Sequence, residues 1–299
     1  MKNTRVWTHV LGWTLTLCAL VDASGCGDGR SPHGELTTDE NGWTFALSRE
    51  LDPGQEENVC ITQVVETDMD VVAISPETGG YTLVHHLLLW KHPSSGSNAV
   101  WDCGDSLPDP TMGSGIWASG SKDGLMQLPE GTAMHIAKGS RLTLNAHFLN
   151  ATGQVTTARA ALRLQFQPKD QPVEQYVGLW SLADYDFSIL SHSTGRTRVE
   201  CTAPEGADVL VVVPHMHSGA RLMTVERLVG GQDQPWLTFH GPDDKAMELL
   251  TPQVRVGAGE TVVLECEIEN PRDTAATAPD EMCNAFLYVI GWQDTVVCM

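Results

Sequence analysis

Five of the eleven histidines fall in three places where imidazole nitrogens could meet a metal ion. His215 and His217 flank Met216 directly after the apolar run Val209–Pro214. Residues two apart on an extended strand share one face, roughly 6.5 Å apart along it, a spacing from which two imidazoles chelate one ion. In an exported protein this pair reads as metal-binding, while Met216 points away and is left out of the set. His85 and His86 are adjacent within Thr82–Trp90. A regular strand would send them to opposite faces, so both could serve one ion only at a strand end or where the strand twists. His147 lies in Arg141–Phe148 on the side of Thr143 and Asn145, away from Leu142, Leu144 and Phe148. Taken singly, His147 and the adjacent pair read as satisfied histidines. Met282, before Cys283, is core filler if read alone. In company with imidazoles its soft thioether suits copper that must visit the Cu(I) state. A disulfide at Cys283 would fix the loop that aims the sulfur.

The elements that must position these residues are strands. Thr261–Glu269 alternates Val262, Leu264, Cys266 and Ile268 on one face with Glu265, Glu267 and Glu269 on the other. Arg141–Phe148, Ala161–Phe166, Val209–Pro214 and Ala285–Trp292 are further strand candidates, and no stretch keeps a helical period with caps. Many short strands with Gly and Pro spread between them indicate an all-β protein built of β-sandwiches. The 299 residues suffice for two tandem sandwiches, and the polar, Pro-bracketed Gln167–Pro172 is the best boundary. This gives a leader at 1–25, a polar tether at 26–41, and copper-binding halves at 42–170 and 171–299, with no internal sequence repeat between them.

The leader reads as an export signal: Lys2 and Arg5 precede a short apolar core, then small residues. Ala23-Ser24-Gly25-Cys26 has the form of a bacterial lipoprotein cleavage box, with Cys26 as the lipidated residue. Cys18 leaves with the signal, and setting Cys26 aside leaves six cysteines: 60, 103, 201, 266, 283 and 298. An even set in an oxidising compartment reads as three disulfides, although six cysteines allow fifteen connectivities. The alternative is plain secretion, cleaved after Ala23, with Cys26 free. Either way the protein is exported, to the cell envelope or beyond. A formal charge of −20 repels phosphate backbones, so nucleic acid is excluded as a partner, and so is docking through a basic patch on anionic lipid.

Four blocks occur in order: Val-His-His-Leu-Leu-Leu-Trp (84–90), Leu-Asn-Ala-His-Phe (144–148), His-Met-His-Ser-Gly-Ala-Arg (215–221) and Asp-Glu-Met-Cys-Asn (280–284). Together, with Trp-Asp-Cys around Cys103 and the stretch Ile116–Ile136, they resemble the copper type II, ascorbate-dependent monooxygenases, which include the peptide-amidating and dopamine-hydroxylating enzymes. The likeness runs from about residue 42 to the C-terminus. It implies two jelly-roll sandwiches facing each other across an open cleft, and two copper ions. His85, His86 and His147 match the ligands of the ion that stores and passes on an electron. His215, His217 and Met282 match those of the ion that binds O₂ and faces the substrate. The same resemblance implies the pairs Cys60–Cys103, Cys201–Cys298 and Cys266–Cys283. O₂, a substrate and an electron donor, ascorbate or an equivalent, would be the partners of a monomeric enzyme that hydroxylates a C–H bond.

The chain departs from the family where substrate is held. In the amidating enzymes an arginine that holds the substrate carboxylate sits two residues before the His-x-His pair, and here that position is Val213. A tyrosine four residues after the methionine is replaced by Phe286, while Asn284 is kept, and a glutamine two residues before the third histidine is Asn145. Asn284 and Phe286 are the candidate substrate contacts, but the peptide-glycine pocket is not carried over. Three readings follow: a copper monooxygenase of unassigned small-molecule or peptide substrate, a non-catalytic copper-binding envelope protein, and a glycan-binding or structural double sandwich with satisfied histidines.

Overall fold

The computed structural model describes residues 31–77, 82–92, 97–104, 114–119, 124–241, 248–278, 281–292 and 295–299. The expected export signal at 1–25, Cys26 and part of the stretch Ile116–Ile136 lie outside the described residues. The described residues contain no helix. The first half of the chain forms β1 (His33–Asp39), β2 (Gly42–Leu51), β3 (Glu56–Val64), β4 (Met69–Pro76), β5 (Val84–His92), β6 (Ala99–Asp102), β7 (Ser114–Ser119), β8 (Met126–Gln127), β9 (Thr132–Ile136), β10 (Arg141–Leu149) and β11 (Thr156–Phe166). The second half forms β12 (Gln175–Asp184), β13 (Ser193–Thr202), β14 (Ala207–Met216), β15 (Ala220–Val229), β16 (Gln232–His240), β17 (Glu248–Val256), β18 (Thr261–Asn270), β19 (Cys283–Ile290) and β20 (Thr295–Cys298).

Both halves follow one topological path. In the first, β2-β11-β4-β9 faces β3-β10-β5-β7; in the second, β12-β19-β14-β17 faces β13-β18-β15-β16. With β1, β6, β8 and β20 set aside each half has eight strands, and in chain order the sheets hold the first, eighth, third and sixth and the second, seventh, fourth and fifth. That is the jelly-roll arrangement. The halves are topological copies although their sequences show no repeat. The boundary expected at Gln167–Pro172 falls between β11 and β12. Across it, β9 pairs in parallel with the start of β12 through Gln175↔Thr132 and Tyr176↔Ala133, so one sheet of each half joins into a continuous surface.

Burial explains which strands alternate. In β13 and β18 one face is wet and one packed: Thr197, Val199 and Cys201 point in, as do Leu264, Cys266 and Ile268, while Glu265, Glu267 and Glu269 face outward with Arg196 bonded to the first two. By contrast β14 and β19 are buried on both faces. Val209, Val212, Leu287 and Val289 fill the second half's own core, whereas Val213, Phe286 and Tyr288 pack into the first half's core cluster. A sheet covered on both sides needs continuous apolar runs, which is why Val209–Pro214 and Ala285–Ile290 do not alternate. Tyr288 Oη donates to Ile116 O at 2.6 Å across this junction, and Pro32–Met299 forms a single compact unit.

The tether expected at 26–41 is in part a strand. β1 pairs antiparallel with β2 from His33↔Ser48 to Asp39↔Gly42, turned by Glu40 and Asn41, whose N–H donates to Asp39 Oδ1 at 2.8 Å. It is an exposed edge strand with one partner, so its sequence carries no buried face and reads as linker. All three disulfides form as the resemblance implied: Cys60–Cys103, Cys201–Cys298 and Cys266–Cys283. Three such bridges mark a protein of an oxidising, exported environment.

Candidate metal centre

β5 solves the problem of two adjacent histidines with a β-bulge. Against β10, His147 faces His86 but Phe148 faces Val84, leaving His85 as the extra residue. Just before it Leu83 takes a left-handed backbone, φ 59°, a conformation that costs a non-glycine residue about 1 kcal/mol or more. A bulge re-aims the side chain it inserts. Here it turns His85 to the same side as His86. Nδ1 of His147 lies 3.2 Å from Nδ1 of His85 and 3.4 Å from Nδ1 of His86. One ring nitrogen from each of the three lies within 4.8 Å of the others, the spacing of ligands around one ion.

His86 is 7% exposed, His147 intermediate and His85 exposed, so this set opens to solvent on the His85 side. Burial first, then the facing imidazoles of His215, His147, His217 and His85, holds the His86 pKa well below the ordinary histidine value. It is neutral where a metal ligand must be. The outer nitrogen of His147, Nε2, meets Glu56 Oε1 at 2.6 Å. Beneath it Asn145 donates to Cys103 Sγ at 3.2 Å, so the first disulfide backs the sheet that carries His147.

The second set sits at the end of β14 and the start of β19. His215 faces Asn284, and Met216 faces Cys283. Met216 points into the second half's core. His215 Nε2 and Met282 Sδ are 3.2 Å apart, and the His215 and His217 rings are 5.3 Å apart. Met282 and His215 are almost wholly buried, at 2% and 5% exposure. Two fixtures hold the Met282 loop. The Cys266–Cys283 bridge ties it to β18, and buried Glu281 accepts the Gly219 N–H at 3.0 Å, joining the loop to the turn after His217.

The structure brings all six sequence-predicted ligands together. His86 lies 5.6 Å from His217 and 6.0 Å from His215, and His85 lies 6.2 Å from His217, centroid to centroid. The resemblance implied two sets separated by an open cleft; here the rings of the two sets are in contact. The two candidate substrate residues are placed differently from one another. Asn284 is buried, donates to Tyr185 Oη at 3.3 Å, and its Oδ1 has no hydrogen-bond donor among the described residues. Phe286 is packed beside Gly115, where an added Cβ would come within 3.4 Å of its ring, and Val213 is buried in the same core. Both candidate residues are buried, at 3% and 5% exposure. Sequence reasoning missed Glu56, which reaches His147 only through tertiary pairing, and Glu281, which precedes Met282 but whose clamp on Gly219 forms only in the fold. Of the other histidines, His135 is bonded to Asp70 at 2.9 Å and meets Tyr176 edge to face, a satisfied group away from the centre.

No protein-family model and no curated protein matches the chain. Solved structures give distant likenesses. A beta-porphyranase of glycoside hydrolase family 86 from Bacteroides plebeius is 8% identical, with 89% of this chain and 38% of that chain covered and a TM-score of 0.20. The N-terminal CBM22 tandem domain from Paenibacillus barcinonensis is 8% identical, with 87% and 90% covered and a TM-score of 0.15. Oxalate decarboxylase from Bacillus subtilis is 8% identical, with 88% and 76% covered, also at 0.15. The chain spans little more than a third of the length of the first of these. Scores this low carry no argument about fold or chemistry, so the functional reading rests on the centre itself.

Proposed function

We propose that this chain is an exported copper monooxygenase of the ascorbate-dependent type, hydroxylating a C–H bond of a small-molecule or peptide substrate. The observation that carries the reading is the meeting of five imidazoles and one thioether, drawn from both halves, at one place. The residues present fit copper. Three Nδ1 atoms converge, His86 is kept neutral, and a buried thioether stands 3.2 Å from an imidazole nitrogen, a soft and borderline donor set. His85, His86 and His147 would hold one ion, and His215, His217 and Met282 the other. Bound copper would supply the one-electron redox chemistry with O₂ that no side chain here provides. One O₂ and two reducing equivalents from ascorbate or a similar donor would place one oxygen atom in the new C–OH and release the other as water.

The chain's own part is geometric. The bulge turns His85 toward His86 and His147, and His85 stays exposed, where a reductant would have access. Burial of His215 and Met282 keeps bulk water from the second set. Asn284 Oδ1, beside His215, is an acceptor suited to an N–H or O–H of the substrate. Val213 and Phe286 are apolar and buried where the amidating enzymes bind a carboxylate, so a terminal carboxylate is not the expected handle. The same observation favours the second reading, a copper-binding envelope protein without hydroxylase activity. Oxygen uptake by copper-loaded protein with ascorbate, run against a panel of substrates, separates the two. Substrate-coupled uptake above that of free copper is expected for the enzyme and its absence for the alternative. Anchoring through a lipid on Cys26 is part of the proposal. Mass spectrometry of the mature N-terminus should find diacylglycerol on Cys26, and an unmodified N-terminus at Ser24 would overturn it.

A further inference from the structure

We propose that Glu56 is a positioning residue for His147, fixing the tautomer and the ring orientation with which Nδ1 faces the three-histidine site. The inference rests on the reading of that site as a copper site. In register, His147 on β10 faces Asn58 on β3, and Leu149 faces Glu56. Glu56 and Asn58 are two apart on one strand, so their side chains leave the same face as His147, and Glu56 is its diagonal neighbour. Its Oε1 stands 2.6 Å from His147 Nε2, while Nδ1 of the same ring points at His85 and His86. An imidazole with a carboxylate on one nitrogen carries its proton there and offers the lone pair of the other. That is the form a metal takes, and a carboxylate on the outer nitrogen fixes it.

The carboxylate is itself anchored. The turn before it is closed by Gly54 N–H donating to Asn150 O at 2.8 Å and Asn150 N–H donating to Gln55 O at 2.9 Å. The Asn150 side chain donates to the carbonyls of Leu51, Asp52 and Gln154. Glu56 is 56% exposed against 12% for His147, so the pair is held by one short hydrogen bond on a braced strand end rather than by burial. A surface ion pair with no positioning role would not distinguish copper-bound from copper-free protein.

The test compares wild type, Glu56→Gln and Glu56→Ala in the mature chain, each also with His215→Ala so that the three-histidine set is read alone. Copper(II) is titrated against a competing chelator and followed by electron paramagnetic resonance. Glu56→Ala is expected to weaken copper at this set about 10-fold, the low end for such partners given the exposure, and to alter its spectrum. Glu56→Gln, which keeps an acceptor without the charge, is expected to fall between. In copper-free protein, ¹⁵N NMR of the histidines should show the His147 proton on Nε2 in wild type and a mixture of tautomers in Glu56→Ala. Thermal unfolding should be unchanged in both variants, which separates positioning from a merely structural role. Titrations and tautomers identical to wild type would overturn the role of Glu56 and leave the copper reading standing. A wild-type chain that takes up no copper at His85, His86 and His147 would overturn that reading, and this inference with it.

Discussion

The two halves run the chain along the same jelly-roll path, yet place their candidate ligands on different sheets. In the first half the ligands come from β5 and β10, the fourth and seventh of the eight jelly-roll strands; in the second they come from the end of β14, the turn after it and the residue before β19, the third and eighth. Each set therefore sits on the sheet that faces the junction, and the rings meet there at 5.6 to 6.2 Å. The sets also differ in kind. The first is all imidazole, opens to solvent at His85, and depends on a backbone irregularity. The second includes a thioether, has His215 and Met282 buried with His217 half-buried, and depends on a disulfide and a buried carboxylate for its aim. Two copies of one fold thus provide one solvent-accessible set and one largely buried set; under the proposed function the first would receive electrons and the second would meet O₂.

The sharpest way to break this division is at Met282. Met282→Ile should leave a folded protein whose ascorbate-dependent hydroxylation falls by orders of magnitude, while copper(II) still binds His85, His86 and His147. Full activity in this variant would remove Met282 from the ligand set. Loss of His147 should stop turnover as well, through the electron-supplying site. Next in size is stoichiometry. Copper analysis after loading and desalting should return two equivalents per chain for wild type and one each for His86→Ala and His215→Ala. Because the rings touch, the spectrum of the surviving ion should also shift; an unchanged spectrum would mean that the sets act apart in solution.

Smaller effects test the supports. Replacing Cys266 and Cys283 by serine opens a bridge with a sequence separation of 17, worth about 3 kcal/mol by loop closure, and should weaken copper at the second set more than at the first. Equal weakening at both would show that the bridge does not aim Met282. The smallest is expected at the junction. Tyr288→Phe leaves the buried Ile116 carbonyl without its 2.6 Å donor and should cost about 1–3 kcal/mol in denaturant unfolding, with copper stoichiometry kept.

What could be read from the sequence followed the range of the interaction that decides it. His215 and His217 were legible because i and i+2 on a strand share a face whatever lies around them. β18 was legible because its wet face is charged. The coming together of His85 and His86 was legible only through the family resemblance and not from strand geometry, since the bulge shows only as a pairing shift against β10. The contact between the two ligand sets, the bond from Glu56 to His147 and the clamp from Glu281 to Gly219 all join residues far apart in the chain. β1 was hidden for the opposite reason, because an exposed edge strand buries too little to pattern its sequence.

The bulge at His85 sets local order against ligand number. Without that residue, β5 would run in one unbroken register from Val84 onward, and Leu83 would be under less pressure to take a left-handed backbone. The strand would pair better and the centre would lose a nitrogen. A sheet selected only for its ladder would discard the extra residue at once. Its presence puts the strand out of phase with itself at the single point where two neighbouring side chains must look the same way.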